Sequence, residues 1–186
     1  MTTITITEAL AELKTLQKRI EKKRTAVGPY LLRQSVIMDP HAFTGNGGIE
    51  GGSREFVRRE RQAIADLMRR VIAIRVAIQR KNHKVSVTVE GETRTLAEWL
   101  TWRREVSEGA KKFLQSMHDG ITRVRADIVK KGGVVAEDAS IEMRNVVVNV
   151  DETELLKEIE HMETVLGALD GQLSLKNATV TIEVSD

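Results

Sequence analysis

Apolar positions recur at helical spacing through the middle of the chain. Val57, Ile64, Leu67, Val71, Ile74 and Ile78 lie on one face, stepping by threes and fours from Ile64 onward. That is the seam of a coiled coil or helical bundle, and it predicts a helix over 53–82, about 45 Å long. Directly after it Val85, Val87 and Val89 alternate with polar residues, the pattern of a half-buried strand. Glu90-Gly91-Glu92 then leads into Thr93-Arg94-Thr95, which predicts a tight hairpin. Thr95 and Glu98 stand at capping-box spacing and open the next helix, predicted over 95–131. Its stripe is Leu96, Trp99, Leu100, Val106, Ala110, Phe113, Met117, Ile121, Val124 and Ile128, and Lys130-Lys131-Gly132-Gly133 ends it.

The flanks follow the same logic. Thr residues alternate with Ile4 and Ile6 to give a short strand, and Thr7 is the expected N-cap of a helix carrying Leu10, Leu13, Leu16 and Ile20. Gly28-Pro29 interrupts that helix, and five glycines between 45 and 52 mark a loop. Toward the other end Val146, Val148 and Val150 alternate as a strand. Asp151 or Thr153 then caps a helix over 152–175 with seam Leu155, Ile159, Met162, Leu166, Leu169 and Leu173. Val180, Ile182 and Val184 form a last alternating run.

These elements predict a mainly α fold with short β-strands (α+β), built on long coiled-coil-like helices in a helical bundle. The expected segments are an N-terminal strand and helix (1–35), a Gly-rich flexible loop (36–53), a long α-hairpin (54–131) with a β-hairpin tip (84–95), a linker (132–143), and a strand–helix–strand segment (144–186). The last of these repeats the middle of the chain. Shifted by 95 positions, Ile64, Leu67, Val71, Ile74 and Ile78 fall on Ile159, Met162, Leu166, Leu169 and Leu173. Lys81-Asn82 falls on Lys176-Asn177, and Val85, Val87 and Val89 fall on Val180, Ile182 and Val184, without a gap. One helix-then-strand unit is duplicated. A continuous helix over 152–175 separates strands 144–150 and 179–185 by about 35 Å. Their open edges must therefore find the hairpin, the N-terminal strand or a neighbouring chain, which favours an oligomer.

Composition narrows the function classes. Aromatic residues make up only 3% of the 186 residues against 41% hydrophobic and 30% charged, as expected of a helical protein. A net charge of +2 exerts no global pull on nucleic acid or anionic membrane, and no apolar run is long enough to span a bilayer. There is no cysteine, so disulfides, thiolate metal sites and cysteine nucleophiles are excluded.

The two repeats differ in local charge: residues 54–84 carry a net +7 and residues 151–170 a net −6. The simpler expectation is that these surfaces complement each other within a bundle or between subunits. The alternative is a nucleic-acid face with Arg58, Arg59, Arg61, Arg69 and Arg70 on phosphates.

Chemical motifs are few. The glycines of 45–52 lack the Lys-Ser/Thr and the leading strand of a phosphate-binding loop, and read as a flexible linker. Glu158 and His161 have the Glu-x-x-His spacing of di-iron bundles, with Glu154 one turn earlier, but the second motif such a site needs is missing. No nucleophile signature is present. No catalytic, cofactor-binding or metal residues are assigned. Candidate interface residues are the alternating strand positions Val85, Val87, Val89, Val146, Val148, Val150, Val180, Ile182 and Val184, together with Trp99 and Trp102, which also suit the base of a bundle.

Three runs carry a resemblance: Glu60 to Asp66, Val87 to Glu105, and Leu169 to Ile182. With them the chain resembles uncharacterised reading frames of tailed bacteriophages, and is similar to small bacterial proteins built from a long helical hairpin with a β tip. The resemblance implies a non-enzymatic virion structural or assembly protein. It would act through homo-oligomerisation and contacts with other phage structural proteins, in the host cytoplasm during assembly and then in the virion. Nucleic-acid binding through helix 54–84, or an adaptor or inhibitor role on a host protein at the hairpin tip, are the alternatives.

Overall fold

The computed structural model describes residues 2–34, 37–41, 49, 51–132, 135–136 and 146–184. The fold is mainly α with short β-strands. In chain order the elements are β1 (Thr2–Thr5), α1 (Ile6–Val27), α2 (Gly52–Asn82), β2 (Ser86–Val89), β3 (Glu92–Thr95), α3 (Leu96–Thr101), α4 (Ser107–Lys130), β4 (Val135–Ala136), β5 (Val146–Val147), α5 (Glu152–Thr179) and β6 (Thr181–Val184). Contacts divide the chain into two units, Met1–Lys81 with Leu175–Asp186, and Asn82–Ser174. The division falls at the end of α2, inside the α-hairpin expected over 54–131.

In the first unit β1 and β6 pair antiparallel, Thr2 opposite Val184 and Thr5 opposite Thr181. The N-terminal strand is thus the partner that the C-terminal strand required. Helix α1 is capped two residues earlier than expected, by Thr5 rather than Thr7. The Thr5 hydroxyl accepts from Glu8 N (3.2 Å) while the Glu8 carboxylate accepts from Thr5 N (2.7 Å). This reciprocal box satisfies two N-terminal donors, which Thr7 has no acid in place to match. It also holds the Glu8 carboxyl below its usual range, chiefly through the bond from the Thr5 backbone. Ile6, Ala9, Leu13 and Leu16 of α1 then bury against Ile74 of α2 and Ile182 and Val184 of β6. Ion pairs between Arg70 and Glu12 and between Lys23 and Glu60, each at 2.9 Å, set α1 and α2 antiparallel.

In the second unit β2 and β3 form the expected hairpin, Val89 opposite Glu92. Glu90 (φ 47°) and Gly91 (φ 82°) make its two-residue turn. Both central residues have positive φ, so the turn follows the right-handed strand twist. Val87 and Val89 bury against Leu96 and Trp99 of α3 and Val165, Leu169 and Leu173 of α5. Three ion pairs run along α4 and α5 in opposite order: Arg103–Asp170, Lys111–Glu163 and Arg125–Glu152. These two helices are therefore antiparallel.

Helix α5 is capped by Asp151, whose Oδ1 accepts from Thr153 N (2.8 Å) and Glu154 N (3.0 Å), and it continues unbroken through Gly167 and Gly171. Within the strand expected over 144–150, Val146–Val147 pairs parallel with β4, which falls in the segment expected as linker, and the described residues 148–150 are not strand.

The helix expected over 95–131 contains a π-helical turn at Trp102–Val106. Ser107, buried just after this turn, donates its hydroxyl to Arg103 O at 2.8 Å.

The two units are built alike. Val85 O accepts from Leu96 N at 2.8 Å, and Val180 O accepts from Ile6 N at 3.0 Å. Thr95 makes the same reciprocal box with Glu98 that Thr5 makes with Glu8. Ile74 and Leu169, both fully buried, stand at matched positions in the two cores. The duplication thus extends past the strand into the following helix. One ladder is closed by Glu90-Gly91, whereas the other joins the first strand of the chain to the last.

Candidate interaction sites

The hairpin of the second unit supports a pocket. Alternation turns Val87 and Val89 inward, and Trp99, 2% exposed, packs beneath them. Its Nε1–H donates to Val87 O at 3.1 Å, which fixes the indole. Trp102, half-buried on the π turn, meets it edge to face with centroids 5.5 Å apart. The Arg94 guanidinium lies 4.9 Å from the centroid of the Trp99 ring while bonding the Glu92 carboxylate. Arg103, next to Trp102 in sequence, pairs with Asp170. Beside the tryptophans is a hollow of about 260 Å³, into whose wall Glu90, Glu92, Glu158 and His161 also enter. The Glu-x-x-His pair thus meets the hairpin carboxylates and both indoles. Among the described residues no group of three or more His, Asp or Glu is placed to hold a metal ion.

The strand residues proposed as interface candidates are mostly committed within the chain. Val87, Val89 and Trp99 are buried in the core of the second unit, with Val85 and Trp102 packed on it. Ile182 and Val184 are buried in the core of the first, with Val180 packed on it. Alternation marks a face that must be covered, and here the chain's own helices cover it. The Val146 side chain lies outside the described residues. Val148 is half-buried and Val150 is exposed, and both border a groove of about 350 Å³ along Met117, Ile121 and Val124 of α4.

Among the described residues, helix α4 is the long helix whose apolar stripe is least covered. Ala110, Phe113, Met117, Ile121, Val124 and Ile128 have seam spacing, yet Phe113 and Val124 are exposed, the other four are half-buried, and Ser107 is the one buried residue of α4. Phe113 is 63% exposed, Val124 52% and Val129 68%. The alternating strands drew attention away from this face, although its periodicity is plain in the sequence.

The basic helix α2 is largely paired off. Arg58 and Arg59 share Glu55, Arg69 bonds Asp66, and Arg70 bonds Glu12 of α1. Arg61 is exposed. The two arginines hold the Glu55 carboxyl down at about 2, and Glu55 in turn raises Arg58. Among the described residues, the acids of α5 that form ion pairs bond Arg103, Lys111 and Arg125, and no acid of α5 bonds an arginine of α2. Within the first unit α2 has α1 as its antiparallel neighbour, and within the second unit α5 has α4, and the ion pairs between helices of a unit follow that arrangement.

At the start of α2, Asp39 accepts from Ser53 N (3.0 Å), His41 N (3.0 Å) and the Ser53 hydroxyl. These bonds, the hydroxyl foremost, lower its carboxyl to about 2. His41 stacks on Phe56 at 4.4 Å and leans on Tyr30 at 4.4 Å, with its Nε2 buried and unbonded. Sequence reasoning missed this cluster, whose one local signal is an Asp-Pro turn preceding a helix. Gly51 and Gly52, from the Gly-rich stretch, have φ of 88° and 60°, and a Cβ on Gly51 would meet Glu55 Cβ at 2.9 Å. Residues 36, 42–48 and 50 of the Gly-rich loop expected over 36–53 lie outside the described residues. Among the described residues no helix is long and apolar enough to cross a membrane.

No protein-family profile and no curated protein matches the chain. A crystal structure of a functionally unknown conserved protein from Corynebacterium diphtheriae is similar over 98% of this chain and 100% of its own, with 19% identity and a TM-score of 0.47.

Proposed function

We propose that this is a non-enzymatic structural or assembly protein of a tailed phage that works by self-association through α4. The observation that carries the reading is the poorly covered α4 seam. From Ala110 to Ile128 it runs about 27 Å, with apolar side chains at three- and four-residue steps and no buried member. A seam of that spacing is self-complementary in the manner of a coiled coil, so a second copy of the chain is the partner it fits best. Other phage structural proteins would then meet the oligomer, first in the host cytoplasm and later in the particle. The nucleic-acid alternative is weakened because four of its five arginines already hold carboxylates. The host-protein alternative would draw on the hollow beside the hairpin tip rather than on α4.

Solution mass by light scattering, at low and high salt with and without DNA, tests this reading. A discrete oligomer at both salts, indifferent to DNA, is expected. The double variant Phe113→Lys, Val124→Lys should run as a monomer with an unchanged far-ultraviolet circular dichroism spectrum. A wild-type monomer, or a particle that forms only with DNA at low salt, overturns it.

A further inference from the structure

The geometry points to the hollow beside the hairpin as a receptor for one arginine side chain presented by a polypeptide partner. This assignment is independent of the α4 seam and holds for monomer and oligomer alike.

Size, shape and charge each narrow the occupant. At about 260 Å³ the hollow lies below the roughly 300–1,000 Å³ of small-molecule sites, and suits a group of side-chain size. Trp99 and Trp102 both line it, their rings at 88° to each other. Cations are attracted to indole rings, and an ionised carboxylate beside them selects a cation over a neutral group. Glu90 and Glu158 supply that charge from opposite sides, one on the hairpin turn and one on α5. Among the described residues neither has an ion-pair or hydrogen-bond partner. Glu92, the third acid, is held by Arg94. The chain thus places a guanidinium on this indole system once already, at a position that does not line the hollow. Arginine fits better than lysine because its planar fork stacks on a ring while bonding two carboxylates at its edge. Its methylene stem would lie on Leu114 and Met162.

The chain has two tryptophans, and both line this hollow, so intrinsic fluorescence reads it directly. The probe is N-acetyl-arginine amide, with the citrulline and lysine amides as controls. A saturable emission change with arginine is expected, with a Kd on the order of 1 mM, the scale of a single side chain. It should weaken at high salt, and Glu158→Gln and Glu90→Gln should each raise the Kd about 3- to 5-fold, the scale of a part-exposed charge pair. Circular dichroism confirms that each variant is folded. A dilution-dependent emission shift without any probe, abolished by Glu158→Gln, would also support the pocket and assign the arginine to a second copy. An equal response to citrulline or lysine, indifference to both Glu substitutions, or no saturable response overturns the assignment.

Discussion

Leu169→Ala tests the core of the second unit at its centre. The side chain is fully buried among Val87, Val89, Leu96, Trp99, Val165 and Leu173. Truncation removes three methyl or methylene groups, worth about 0.8 kcal/mol each, and the surrounding strand and helix cannot close the gap completely. The expected loss is about 3–4 kcal/mol, a large share of the roughly 5–15 kcal/mol that holds a typical domain together. Urea unfolding followed by tryptophan emission reads this unit, because Trp99 and Trp102 are the only two tryptophans of the chain. With a slope of about 2 kcal/mol per molar urea, the midpoint falls by about 1.5–2 M at fixed protein concentration. Leu156→Ala, on the same helix but 48% exposed, is the control and should cost under about 1 kcal/mol. A Leu169→Ala loss no larger than that of the control would refute the packing described for α5 against the hairpin.

Three further expectations follow from particular contacts. Trp99→Phe keeps an aromatic ring but deletes the donor to Val87 O and leaves a gap at a buried site, and should cost about 2–3 kcal/mol in unfolding followed by circular dichroism. Asp39 titrates at about 2 when folded, against an ordinary value of 3.8, so its contribution is complete above about pH 4 and lost as pH falls through about 2. Asp39→Asn should flatten that limb of the stability–pH curve and leave its alkaline limb unchanged. A circular permutant that joins Val184 to Thr2 through Glu-Gly and opens the chain between Glu90 and Gly91 should keep the wild-type helical spectrum and unfold cooperatively. A large loss of helix would contradict the equivalence of the two ladders.

Helix positions were legible because a buried stripe leaves a period that needs no partner to be seen. The seam of α2, the Thr95–Glu98 box and the hairpin at Glu90-Gly91 all stand as read. Where one residue's role depended on another far along the chain, the reading was less complete. Thr5 and Glu8 have the same spacing as Thr95 and Glu98, so the true start of α1 was available from the repeat. The π turn at Trp102–Val106 was not legible, because the stripe on either side of it reads as one continuous helix. Pairing of β1 with β6 was not either, because alternation specifies a face to be buried and is silent about which strand lies alongside. The same silence made core residues such as Val87 and Ile182 look like contacts for another chain. Net charge was misleading for a related reason: a sum over α2 does not reveal that Glu55 already holds two of its arginines.

The two matched ladders also differ in how the chain must reach them. Val89 meets Glu92 across a two-residue turn, whereas Thr5 meets Thr181 only after 176 positions of chain have been brought round. Closing the longer loop costs about 3–4 kcal/mol more in chain entropy, and local hairpins form within about 1–10 μs while distant pairings wait. Two ladders of the same register therefore belong to different stages of folding: the hairpin half is a natural nucleus, and the half containing β1 and β6 forms last. Moving the chain break from one turn to the other exchanges those stages while leaving the folded architecture as it was.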